Sequence, residues 1–144
     1  IAFNNWRYFM ATVELETAEQ KVKREAEEKS SNERETLRAS IEAEINQKEP
    51  GIKVFDWTFG NDETGEVRVF VRQPNRYVKN AAIDEETISK TKSWQTLFET
   101  CVIKEHTDKR VHDENPENDM FYYAVLNKMD SLIIWYSIDF LKKK

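Results

Sequence analysis

The sequence predicts an α+β fold that is mostly α, and three stretches of the chain predict it. Residues 12–49 hold no glycine or proline and are rich in Ala, Glu, Lys and Arg, a helical composition. Residues 52–72 switch to a period of two, as half-buried strands do. Residues 116–141 return to a helical period, with apolar positions every three or four residues. Only three Gly and three Pro occur in 144 residues, too few turn formers for a many-stranded barrel or sandwich.

Taken in order, residues 1–9 are mixed apolar and polar, interrupted by Asn4, Asn5 and Arg7, which is a poor secretion signal. Met10 followed by Ala-Thr-Val reads as a true beginning, leaving 1–9 as an upstream extension or a short aromatic anchor. The first helix, 12–49, has a sparse apolar stripe: Leu15, Ala18, Val22 and Ala26, then Leu37, Ile41 and Ile45. The gap at 27–36 is either an exposed stretch or a break into two helices near Ser30 to Asn32. Thr17 with Gln20, and Asn32 with Glu35, each fit a capping box. Glu19 with Lys23, Glu25 with Lys29 and Glu44 with Lys48 are pairs four apart in the favourable orientation. Glu49-Pro50-Gly51 ends the helix. Residues 1–50 therefore read as an extension with a charged helical arm, and 51–144 as an α+β core domain.

In the core domain, Phe55, Trp57 and Phe59 alternate, as do Val67, Val69 and Val71, around the turn signal Gly60-Asn61-Asp62-Glu63-Thr64-Gly65. This predicts one β-hairpin, which must pack on something because two strands alone are marginal in water. Three helices follow in the prediction. The first is short, 75–83, after Pro74. The second is capped by Ser93 and carries the stripe Trp94, Leu97, Phe98 and Cys101. The polar residues 104–119 read as a surface loop ending in Asn115-Pro116, a cap with proline at the first helical position. The last helix, 116–141, is long and apolar over most of its circumference, with Phe121, Val125, Met129, Leu132, Tyr136 and Phe140 along one row. Lys142, Lys143 and Lys144 complement its dipole.

Composition excludes several classes. With 39% hydrophobic and 12% aromatic residues the chain is not wholly disordered, and no run approaches the ~18 apolar residues of a spanning helix. One cysteine forms no internal disulfide, so nothing suggests an oxidising compartment. A net charge of −5 disfavours general nucleic-acid binding, which needs clustered Lys and Arg. Cys101, His106, Asp108, His112 and Asp113 are the one cluster of metal-ligand types, but the spacing lacks the close ligand pairs of a tetrahedral site, so no metal or cofactor is expected. Cys101 sits on a buried stripe, unlike a reactive thiol, and no glycine-flanked serine elbow or phosphate-cradling loop exists. Abundant carboxylates on solvated helix faces have no cause for a raised pKa. No catalytic residue is expected, and no enzyme.

Two surfaces invite a partner. Arg68, Arg72, Arg76 and Lys79 form a local basic run, read either as a patch for an acidic partner segment or nucleic acid, or as strand-face charges balanced by Glu63, Glu66 and the acidic arm. The aromatic-rich last helix carries more apolar surface than so small a domain covers easily. Phe121, Val125, Leu132, Trp135, Tyr136 and Phe140 are the contact candidates, since aromatic residues favour protein interfaces.

From Val67 to Ile133 the order of pieces is distinctive. A strand ends in Val71-Arg72-Gln73-Pro74-Asn75-Arg76 and is followed by a short helix. Leu97-Phe98-Glu99-Thr100-Cys101-Val102-Ile103 comes next, then the charged Asp108-Lys109-Arg110-Val111. Asn118-Asp119-Met120-Phe121-Tyr122-Tyr123-Ala124-Val125-Leu126 runs on through Leu132-Ile133. This resembles small tail-associated proteins of tailed bacteriophages, of the tail assembly chaperone type, over about half the chain. The long charged helix departs from their compact form. The resemblance implies a non-enzymatic protein in the cytoplasm of an infected bacterial host that holds a tail component, notably the tape-measure protein. The alternatives are a self-assembling virion component and an acidic inhibitor of a host protein.

Overall fold

The computed structural model describes residues 16–133. Among them are four α-helices and one antiparallel hairpin, so the chain is α+β and mostly α. The order is α1 (Ala18–Lys48), β1 (Val54–Asn61), β2 (Gly65–Arg72), α2 (Arg76–Glu86), α3 (Lys90–Cys101) and α4 (Asp119–Lys128), with short 3-10 turns at Lys109–Val111 and Pro116–Asn118.

Two compact units divide between Leu37 and Arg38. In the first, the described residues are helical from Ala18 and almost all exposed; Val22 is 65% exposed. The helix opens on the predicted capping box: Gln20 N–H donates to Thr17 Oγ1 at 3.2 Å, and Thr17 N–H to Gln20 Oε1 at 3.1 Å. It runs unbroken past Ser30 to Asn32, so the second cap is not used and α1 is one helix. Arg24 pairs with Glu16 at 3.0 Å and Glu28 at 3.2 Å. The expected pairs from Lys23, Lys29 and Lys48 do not close, as solvent screening and side-chain entropy leave such pairs little to gain.

In the second unit the hairpin register sets Phe55 against Val71, Trp57 against Val69 and Phe59 against Val67. This face joins the main core with Ala82 of α2, Leu97, Phe98 and Cys101 of α3, and Phe121, Val125 and Leu126 of α4. The other face carries Val54 and Phe70 and is covered by Ile41, with Ile45 and Ile103 beside it. That packing is why the last turns of α1 belong with the hairpin rather than with the rest of the helix. Polar groups of the same turns serve the chain entering β1. Asn46 exchanges two hydrogen bonds with the Ile52 backbone at 3.0 and 3.1 Å. Glu42 accepts from Val54 N–H at 3.0 Å, and Arg38 donates to Val54 carbonyl at 3.1 Å. The turn closes on Asn61, whose side chain accepts from Glu63 and Thr64 N–H. A Cβ at Gly60 would strike the Gly65 carbonyl oxygen, and Gly60 holds a positive φ of 116°.

Several expected boundaries move. Asn75 is an N-cap, accepting from Val78 N–H at 2.9 Å, but α2 extends to Glu86. α3 starts at Ser89 as N-cap rather than at Ser93. Ser93 is a buried interior residue whose hydroxyl donates to Ala82 carbonyl at 2.6 Å, tying α3 to α2. The segment after α3 is not a plain surface loop. Val102 bridges to Val71, Ile103 N–H donates to Phe70 carbonyl at 2.9 Å, and Asp108 N–H to Arg68 carbonyl at 3.0 Å, so residues 102–108 cover the outer edge of β2. Val111 is fully buried. The long last helix is interrupted: α4 ends at Lys128, Met129 and Asp130 form a turn, and residues 131–133 are helical again. Asp130 there accepts from Trp94 Nε1 at 2.6 Å and lies 3.6 Å from Lys90 Nζ, latching the turn to α3. The remainder of the expected helix, to 141, lies outside the described residues.

Ile41 is the one buried residue of α1. Replacing Ile41 with Ala should lower unfolding stability by about 2–5 kcal/mol. Val22→Ala, on the exposed stretch, should stay within about 0.5 kcal/mol of the parent. Urea midpoints for the two variants check the contrast; equal losses would contradict the assignment of the core.

Candidate functional site

The residues that sequence patterning brings forward fall into three groups. Phe121 and Val125 of α4, packed against the hairpin and α3, and Leu132 beyond the turn at Met129 and Asp130 are buried in the main core, so they offer no contact surface. Trp135, Tyr136 and Phe140 lie outside the described residues. The basic run is divided. Arg68 pairs with Asp56 at 3.1 Å and stacks 5.2 Å over Phe70, while Arg72 pairs with Glu49. Both guanidinium groups are therefore committed to carboxylates, as strand-face charges in balance. Arg76 is exposed at the start of α2, and Lys79 is half-buried on the same helix.

Cys101 is buried at the end of α3. Desolvation pushes its thiol up to about 12, against weaker opposing pulls from Arg72 and Lys79. The thiolate is thus not formed near neutral pH. His106 is exposed, whereas His112 is half-buried edge-to-face with Phe98 at 5.6 Å. Burial first, then Lys104, lowers the His112 pKa below its ordinary 6.5, which favours the neutral imidazole. Among the described residues no group of three His, Cys, Asp or Glu is placed to hold a metal ion. None of their helices is long and apolar enough to cross a membrane.

What packing does assemble is an open groove of about 380 Å³. One wall is the outer face of α3, with Gln95, Phe98 and Glu99; the second is the loop residues Lys104, Val111 and His112 to Glu114; the third is the start of α4, with Asp119, Tyr122 and Tyr123. Its floor is a chain of rings: Phe98 meets Tyr122 edge-on at 5.1 Å, and Tyr122 meets Tyr123 at 5.3 Å. Four carboxylates line it against one lysine. Asp113 is already engaged, accepting from Asn115 N–H at 3.0 Å and from Asn118 Nδ2 at 2.8 Å. Glu99, Glu114 and Asp119 are exposed. Arg110 holds the loop that forms this wall. It bonds both oxygens of Asp108, donates to Thr64 carbonyl at 2.7 Å and stacks 5.1 Å over Phe121. That contact keeps the Asp108 carboxyl below the usual carboxylate range.

Patterning picked out Phe98 on the α3 stripe and His112 and Asp113 among the metal-ligand types, but it did not bring the groove together, because its residues come from three separated segments. The signal that existed was Tyr122-Tyr123 beside the core position Phe121, in a chain otherwise polar from 112 to 119. Large apolar side chains also remain outside the core: Tyr77 is 83% exposed, Ile88 81%, and Met120 and Tyr123 60% each. Comparison with protein-family models, with curated proteins and with solved structures found no match to this chain.

Two outcomes follow. Cys101 should resist alkylation in the native protein at mildly alkaline pH and react readily in denaturant; native labelling at the rate of a free thiol would contradict its burial. His112 has a folded-state pKa below its unfolded value, so the unfolded chain takes up the proton first. Stability should therefore fall as pH drops below about 6.5. His112→Gln should flatten that part of the decline in a urea-midpoint series.

Proposed function

We propose that this chain is a non-enzymatic protein-binding module of the tail assembly chaperone type. It would hold a hydrophobic helical segment of a phage tail component, such as the tape-measure protein, in the cytoplasm of the infected bacterial host. The observation that carries the reading is the set of large apolar side chains left on the surface of the second unit, Tyr77, Ile88, Met120 and Tyr123 above all. Met120 and Tyr123, three apart on α4, share one helix face, and exposed apolar residues side by side favour a contact with another polypeptide. The inert Cys101 thiol and the committed guanidinium groups of Arg68 and Arg72 support binding over catalysis. The acidic, exposed helix α1 would keep a complex with an apolar partner in solution. With Phe121, Val125 and Leu132 buried, the contact surface in this reading moves to α2 and the start of α4.

Co-expression with a tape-measure protein should yield a stable complex, and Tyr123→Ser with Met120→Ser should weaken it without lowering the urea midpoint. Failure to form a complex with any candidate tail component would overturn the reading. Sedimentation separates a foreign partner from a second copy: a concentration-dependent mass would favour a self-assembling component.

A further inference from the structure

We propose that the groove between α3, the 104–114 segment and α4 receives an arginine side chain of the partner polypeptide, its guanidinium held beside the Tyr122 and Tyr123 rings and paired with Glu99, Glu114 and Asp119. The inference rests on the protein-binding reading above and gives it a chemistry.

The volume, about 380 Å³, sits near the lower end of the ~300–1,000 Å³ found for ligand pockets. That suits one or two side chains better than a folded element. The lining is both aromatic and acidic, and these two features select the same guest. A cation over a tyrosine face gains from the ring quadrupole. A guanidinium is planar, stacks on rings and offers a fork of donors to carboxylates, which an ammonium does not. Glu99, Glu114 and Asp119 are exposed and enter into none of the ion pairs or hydrogen bonds that bind Asp113. The one lysine on the rim, Lys104, leaves a marked excess of negative charge. Burial disfavours the charged form of His112, which limits its repulsion of an incoming cation. The site is also continuous with apolar surface. Tyr123 both lines the groove and stands 60% exposed beside Met120, so a partner helix could lay its apolar face there and its arginine into the groove.

The test titrates the full chain with a blocked tri-arginine peptide and with its lysine and citrulline counterparts, by calorimetry at low salt. Arginine should bind about tenfold more tightly than citrulline, which keeps the shape and loses the charge, and severalfold more tightly than lysine. The triple variant Glu99→Gln, Glu114→Gln, Asp119→Asn should weaken arginine binding about tenfold. Glu19→Gln, Glu25→Gln, Glu27→Gln on α1 removes the same charge elsewhere and should change it less than about twofold. Tyr123→Ser, at an exposed position, keeps the test valid should the triple variant fold poorly, and should weaken binding severalfold. Absence of binding, equal affinity for lysine, or equal loss in the α1 variant would each overturn the proposal. A tail component that co-purifies while the peptides show no arginine preference removes only the groove assignment. Ranked peptide affinities without any tail complex remove the tail reading and leave the site.

Discussion

A two-stranded sheet with apolar side chains on both faces cannot stand in water, and this constraint organises the second unit. One face of the hairpin presents Phe55, Trp57, Phe59, Val67, Val69 and Val71; the other presents Val54 and Phe70. Burying one face against α2, α3 and α4 leaves the second exposed unless another element covers it. The last turns of α1 do so through Ile41 and Ile45. The helix is recruited for one short stretch, which is why a helix with a single buried side chain still matters to the fold.

Edges pose the companion problem, since unpaired strand backbone invites unwanted pairing. The chain handles β2 with residues 102–108, which supply N–H donors to the Phe70 and Arg68 carbonyls while Thr107 Oγ1 accepts from Phe70 N–H at 3.2 Å. On the β1 side, Asn46, Glu42 and Arg38 act at Ile52 and Val54 as a neighbouring strand would, with side chains in place of backbone. Polar residues that look like surface charges in the sequence are thus spent on backbone satisfaction, and the same is true of Arg110 at the Thr64 carbonyl.

The same packing decides which apolar side chains stay on the surface. Aromatic and aliphatic residues of α4 that face inward complete the core; of the two that stay exposed, Met120 and Tyr123, the tyrosine lines an acidic groove. A surface that is apolar in one part and anionic in the next discriminates among partners better than a greasy patch, because a guest without a matching cation leaves carboxylates and rings unpaired.

How much was legible in the sequence follows from what is local. The capping box at Thr17, the hairpin with its Asn61 turn, the alternating face of Phe55, Trp57 and Phe59, the Asn75 cap and the burial of Cys101 all depend on residues close together in the chain, and periodicity exposes them. The chain by itself therefore determined the α+β class and the order of elements. It did not determine that Ser93 would be an interior residue, because its partner, the Ala82 carbonyl, belongs to another helix. Nor did it determine the turn at Met129 and Asp130, where Trp94 and Lys90 hold the aspartate. Burial of Phe121, Val125 and Leu132, and the gathering of Glu99, Glu114, Asp119, Tyr122 and Tyr123 around one groove, were decided by tertiary structure alone. A helical stripe records that a face is apolar, and only the packing of distant segments settles whether that face meets the chain's own core or another molecule.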